Sequence, residues 1–252
     1  MLKLLLEKLK GELNNMSSCK IVFTGGPCGG KTKSIDLFAS RLIATGKKVA
    51  IANETAQSLL SLDYMPNNNI SSFDFQNLLF KIQFIKEYQC EKKADIVLCD
   101  RGLFDGKVYM NHEEFDRMLH LNKVMNNELL STYDLALYFR SIAYEYPNEF
   151  HLQRIYETPE IGIERDKRSL EIWREKLLSL KCDNLHGFKN KQENLYVELL
   201  EFLSNFNPST THQLSEFYND EYIAFFKKGI DEIMNQYDFS EEVKIKTRGL
   251  VK

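Results

Sequence analysis

Residues 20–32 read Lys20-Ile21-Val22-Phe23-Thr24-Gly25-Gly26-Pro27-Cys28-Gly29-Gly30-Lys31-Thr32. The run opens on apolar residues suited to a buried strand and passes into glycines. From Gly25 to Thr32 it matches G-x-x-x-x-G-K-[ST] between a strand and a helix, the setting that turns this pattern into a phosphate-binding loop. Glycines such as Gly25, Gly26, Gly29 and Gly30 let the chain wrap closely around phosphates, and successive backbone N–H groups point inward. The following helix adds the positive end of its dipole. Lys31 supplies a cation for the β and γ phosphates of ATP or GTP, and Thr32 offers a hydroxyl to Mg²⁺. Pro27 and Cys28 complete the loop. Cys28 is small enough to fit, and a redox switch is the second reading of its thiol beside a lysine and a helix N-terminus.

Outward from this loop, strands and helices alternate. Residues 31–45 have helical periodicity and stop at Gly46. Residues 48–52 read as a second buried strand and 61–70 as a polar loop. Residues 71–93 read as a long amphipathic helix capped by Ser71 or Ser72. Residues 95–100 form a third strand, apolar until Asp100. Residues 113–131 read as one helix, 134–139 as a fourth strand and 141–158 as an irregular, tyrosine-rich segment. Helical periodicity returns at 161–178 and 188–206, with a short fifth strand at 180–182. Strands apolar on both faces and separated by helices imply an α/β fold with a parallel sheet covered on both sides. After Pro208 a helix over 216–237 precedes a basic end, read as a docked helix with a loose terminus. Residues 1–16 carry leucines at helical spacing. They read as an amphipathic helix that packs on the domain or a partner or lies on a membrane surface, unless Met16 is the true start.

Composition narrows the function class. The chain has 252 residues, a formal net charge of −3 and 43% apolar residues, including 17 Phe and 12 Tyr. Near-balanced charge argues against a nucleic-acid partner. The apolar content supports a sizeable core, and no apolar run reaches the roughly 18 residues of a membrane span. Five cysteines at 19, 28, 90, 99 and 182 fit neither a zinc site nor a disulfide framework, which points to a reducing, cytoplasmic setting.

Asp100 ends the third strand, and open α/β sheets collect their ligands at such strand tips. A carboxylate there, beside the phosphate loop, is placed to hold Mg²⁺. Glu54 follows the second strand and can take a proton from an acceptor hydroxyl, or it can simply start a helix. The switch-GTPase signature D-x-x-G is missing, since Leu103 stands at its glycine. Residues 190–193, Asn-Lys-Gln-Glu, lie in a helical pattern and read as a solvated face.

Five ordered pieces are TGGPCGGKT at 24–32, NETAQSLL at 53–60, Phe75, Gln76, Gln83 and Glu87, LCDRG with Asp105 at 98–105, and ERDKRSLEIW at 164–173. Together, across roughly residues 19–206, they resemble the AAA-type P-loop domain shared by NadR-like nicotinamide ribonucleotide/riboside kinases and translocation-defect-type GTP-binding proteins. That resemblance implies a five-stranded nucleoside-kinase-like sheet and a mobile lid over about 141–168, within a domain at 17–206 extended by 207–252. It implies that Glu54 is the general base and that Arg101 contacts phosphate or acceptor. Gln83 and Asp105 would line the acceptor pocket, and Arg165 and Arg168 would close over the γ phosphate, with Arg140 a further candidate. A solvated ion-pair face is the competing reading of Arg165, Asp166, Lys167 and Arg168. Tyr144, Tyr146, Phe150 and Tyr156 stack on a base, cover the acceptor or pack the lid, while Trp173 reads as core.

The expected partners are a nucleoside triphosphate and a small acceptor. The chain reads first as a Mg²⁺-dependent phosphotransferase acting on a nucleoside-like hydroxyl. The alternative is a slow ATP- or GTP-binding NTPase that regulates a partner through lid closure.

Overall fold

The computed structural model describes residues 18–153, 157–177, 188–207 and 212–252. Apolar runs place β1 (Cys19–Thr24), β2 (Val49–Ala52), β3 (Ile96–Asp100) and β4 (Leu135–Tyr138) in one parallel sheet of order β2-β3-β1-β4. Among the described residues the sheet has four strands, not the five expected. The expected strand at 180–182 lies outside the described residues, and only an isolated parallel bridge from Leu177 to Ala136 extends the β4 edge.

The helices cover both faces. α1 (Lys31–Ile43) follows the phosphate loop, and a short α2 (Thr55–Ser61) follows β2 with Glu54 at its N-cap, the helix start that was the second reading of Glu54. α3 (Ser72–Glu91) starts at Ser71, whose hydroxyl accepts the Asp74 N–H at 3.0 Å. The single helix expected over 113–131 is two, α4 (His112–Leu121) and α5 (Asn126–Ser131). The break follows from Asn122, whose amide is bound by Asn77 and the Met118 carbonyl, and from left-handed Lys123. The segment after β4 contains a 3₁₀ turn at Ile142–Tyr144 and the short α6 (Pro147–Gln153). α7 (Pro159–Ile172) then begins at a Thr158 cap, two residues earlier than the periodicity indicated.

On one face, Ile21, Phe23, Leu98 and Leu137 pack under α1 and α8 (Phe188–Asn205) through Phe38, Leu42, Tyr196 and Leu199. Residues 190–193 are therefore a solvated face only in part, with Asn190 exposed and Glu193 half-exposed. Lys191 and Gln192 are buried, and Gln192 donates to Ser34 of α1 at 3.0 Å. On the other face, Val22, Val97 and Cys99 meet α3 and Trp173, which is wholly buried as expected.

The C-terminal region makes α9 (Leu214–Phe217), α10 (Asp220–Asn235) and α11 (Glu241–Gly249). Asn219 caps α10, which divides the helix expected over 216–237. α10 lays Phe226 edge-on to Phe84 of α3, with ring centres 4.8 Å apart. α10 packs on the Phe80 and Phe84 side of α3, while Gln83 and Glu87 on another side bond to Thr55, the Arg101 carbonyl and Tyr133, so α3 is buried on most faces rather than amphipathic at the surface. The end is not loose: Ser240 caps α11, Thr247 bonds Tyr64 at 2.9 Å, and Val251 is buried. Among the described residues no helix is long and apolar enough to cross a membrane. The amphipathic stretch expected over 1–16 lies outside them.

Candidate nucleotide site

The loop leaves β1 under strict local constraints. Gly25 has φ +118°, and a Cβ there would collide with the Phe139 carbonyl, so the tight turn past the end of β4 requires glycine. Cys28 and Gly30 also take left-handed backbone, and Cys28 is half-buried. Gly30 forms the N-cap of α1 with no side-chain cap, which leaves first-turn amides available to an anion. Lys31 folds back onto its own loop, donating to the carbonyls of Gly26 at 2.6 Å and Gly25 at 3.3 Å.

Thr32 donates its hydroxyl to Asp100 Oδ2 at 2.8 Å, which joins the start of α1 to the tip of β3. Asp100 Oδ1 is buried and has no hydrogen-bond partner. An orphaned carboxylate oxygen beside a hydroxyl and a phosphate loop is the donor set that a phosphate-bound Mg²⁺ uses, so these residues fit that ion. Burial first, and Glu54 next, push the Asp100 carboxyl above its ordinary pKa.

Arg101 stands in left-handed backbone, φ +68°, a conformation that costs a non-glycine residue about 1 kcal/mol or more and gathers at functional sites. Its guanidinium reaches Glu54 at 3.3 Å, Asp105 at 3.4 Å and the Gly25 carbonyl at 3.4 Å. Burial alone would lower its pKa, but Tyr109, Asp105, Glu54 and Asp100 together hold it above the ordinary guanidinium value. Burial and then Arg101 drive Lys31 down to about 7, against the opposing pull of Asp100, Glu54 and Asp105. Lys31, Glu54, Asp100, Arg101 and Asp105 therefore form one mutually charged cluster at the C-terminal edge of the sheet.

Other expected residues do different things locally. Asp105 accepts from Thr24 and from the Gly102 N–H, both at 2.8 Å, and so braces β1 and the turn that carries Arg101. Gln83 is buried, with its amide shared among Thr55, Glu87 and the Arg101 carbonyl. Arg165 pairs with Glu157 at 2.5 Å and lies 4.9 Å above the ring of Tyr109. Arg168 donates to the carbonyls of Lys107 and Met110 at 2.7 and 2.8 Å. Arg140 stacks 4.0 Å over Tyr144 and pairs with Glu145. Phe150 is buried, Tyr146 is exposed, and Tyr156 lies outside the described residues.

Sequence reading missed two residues here. Asp166, set within a run of charges on α7, is fully buried and accepts the Gly26 N–H at 2.6 Å, which rules out a solvated face at that position. Lys191 is buried and donates to the carbonyls of Gly29 at 3.4 Å and Arg140 at 3.2 Å. The signal for both was a charge inside an otherwise periodic helix near a motif, which sequence alone reads equally as solvated.

A parallel α/β sheet with this loop and an acidic strand tip beside it defines a P-loop nucleotide-binding protein. Among known families, residues 20–178 match the AAA domain, and the chain belongs to that family. No curated protein matches the chain.

Proposed function

We propose that this protein is a Mg²⁺-dependent phosphotransferase that moves the γ phosphoryl group of ATP or GTP to a hydroxyl of a small, nucleoside-like acceptor. This is the activity of NadR-like kinases, whose motifs it resembles. The observation that carries the reading is the Glu54–Arg101 pair, 3.3 Å apart, in the charged cluster around Lys31. A carboxylate and a guanidinium at adjacent strand tips provide both a proton acceptor and an anion clamp.

The phosphate loop amides bind the triphosphate, and Lys31 leaves the Gly25 and Gly26 carbonyls for its oxygens. Thr32 and Asp100 would hold Mg²⁺, which when bound would offset charge on the β and γ phosphates. Glu54 orients the acceptor hydroxyl and takes its proton. Arg101 stabilises charge on the transferring group. Arg165 and Arg168 add further cations once they leave their present partners. Gln83 and Asp105 act on the acceptor side by fixing Arg101. A water-filled site with no acceptor would leave the slow-NTPase alternative, in which closure of α7 signals to a partner. We place the reaction in the cytoplasm, in keeping with free Cys19, Cys28, Cys90 and Cys99.

The test is incubation with γ-labelled ATP or GTP and a panel of nucleosides. Label on an acceptor is the expected result. Free phosphate alone, released slowly with every acceptor, overturns transfer in favour of the NTPase.

A further inference from the structure

We propose that Asp166 is a positioning residue that pins the arginine-bearing helix α7 to the phosphate loop and so sets where Arg165 stands beside it. The proposal rests on the nucleotide-binding reading above. Asp166 lies in mid-helix and is fully buried. Its Oδ1 accepts the N–H of Gly26 at 2.6 Å and of Ser141 at 3.0 Å, and its Oδ2 accepts the hydroxyl of Tyr138. One carboxylate thus joins the loop, the end of β4 and α7. A Cβ on Gly26 would collide with it, so the contact is as close as the chain permits.

The peptide unit between Gly25 and Gly26 carries the coupling. Its N–H is held by Asp166, while its carbonyl faces Lys31 Nζ at 3.3 Å and Arg101 Nη1 at 3.4 Å. Hydrogen bonds through one peptide polarise each other. A triphosphate draws those two cations toward itself, while the bond from the N–H to Asp166 keeps the peptide, and α7 with it, in place. The neighbour of Asp166 on the helix is Arg165, tied meanwhile to Glu157 and Tyr109. With α7 held at the loop by Asp166, Arg165 is placed to exchange Glu157 for the γ phosphate; without that tie the helix, and Arg165 with it, is mispositioned.

Half-buried Cys28 reports the loop in the protein without nucleotide. Its rate of iodoacetamide alkylation, read by peptide mass spectrometry, is compared in the parent, Asp166→Ala and Asp166→Asn. Alanine orphans two N–H groups and a hydroxyl, and it is expected to accelerate alkylation at least about fivefold through local opening. Asparagine keeps an oxygen for both N–H groups and is expected to stay within about twofold. With ATP or GTP, Asp166→Ala is expected to lose at least about tenfold in turnover with nucleotide Kd changed less than about threefold, and asparagine restores turnover. Alkylation and turnover of Asp166→Ala within twofold of the parent overturn the proposal, as does equal loss of Kd and turnover without rescue by asparagine. If Asp166→Ala fails to fold, Tyr138→Phe removes one of the three bonds, and unchanged Cys28 reactivity there overturns it. A parent protein that binds neither ATP nor GTP overturns the proposed function, while the Cys28 comparison still decides the role of Asp166.

Discussion

Lys31 is expected to take up a proton when a triphosphate binds. Buried among its own loop carbonyls, with Arg101 close by, it titrates at about 7 in the empty protein. Phosphate oxygens beside the ammonium return it to the ordinary lysine range, above about 10. Above pH 7 the bound state therefore holds more protons than the empty one, and affinity falls as pH rises. Half the empty protein carries the ammonium at pH about 7 and about one part in a hundred does at pH about 9, so Kd rises about fifty-fold, or about 2 kcal/mol. Isothermal titration calorimetry with ATP and GTP, in buffers of different ionisation enthalpy, reads affinity and proton uptake together. Lys31→Met is expected to bind weakly and without this pH slope. Parental affinity that stays within twofold from pH 7 to 9, with no buffer-dependent heat, refutes the reasoning.

Three further outcomes are expected. Glu54→Gln keeps nucleotide affinity within about threefold but lowers acceptor phosphorylation by about 10²-fold or more, measured as labelled product; undiminished transfer removes Glu54 from the mechanism. Gly25→Ala forces a Cβ onto the Phe139 carbonyl in left-handed backbone and is expected to cost about 3 kcal/mol or more, read as a lowered melting temperature. Lys20→Met strips the cation from Glu87 and Glu91, which lie 3.3 and 2.7 Å from Lys20 Nζ in the core, and costs about 3–5 kcal/mol by urea denaturation. That loss is expected to shrink on acidification, because burial already raises the Glu87 carboxyl and its neutral form needs no partner.

The parts of the fold that follow from local pattern were legible. Each strand carries a run of apolar residues, and the phosphate loop declares itself by residue type and spacing. What escaped was set by distant packing. Nothing in residues 72–91 says that Lys20 will meet Glu87 and Glu91 in the core, or that Thr55 and the Arg101 carbonyl will take up Gln83, so these three look like surface residues. The break at Asn122 depends on Asn77, 45 positions away. The site divides in the same way. Lys31, Thr32 and Asp100 were readable because strand tips and the loop fix their place, and Arg101 because it follows Asp100. Arg165 and Arg168 were readable as a helical pair, but their present partners at 107–110 and 157 were not. Asp166 was hidden because a buried carboxylate needs three donors from other elements, and sequence does not display those.

The account stands on the phosphate loop as a triphosphate site, and equilibrium binding of Mg²⁺-ATP and Mg²⁺-GTP to the parent and to Lys31→Ala tests it most directly. The parent is expected to bind at least one of them saturably, and Lys31→Ala at least about tenfold more weakly, the loss of one buried charge-assisted contact. Equal binding by the two proteins, or none by the parent, contradicts it.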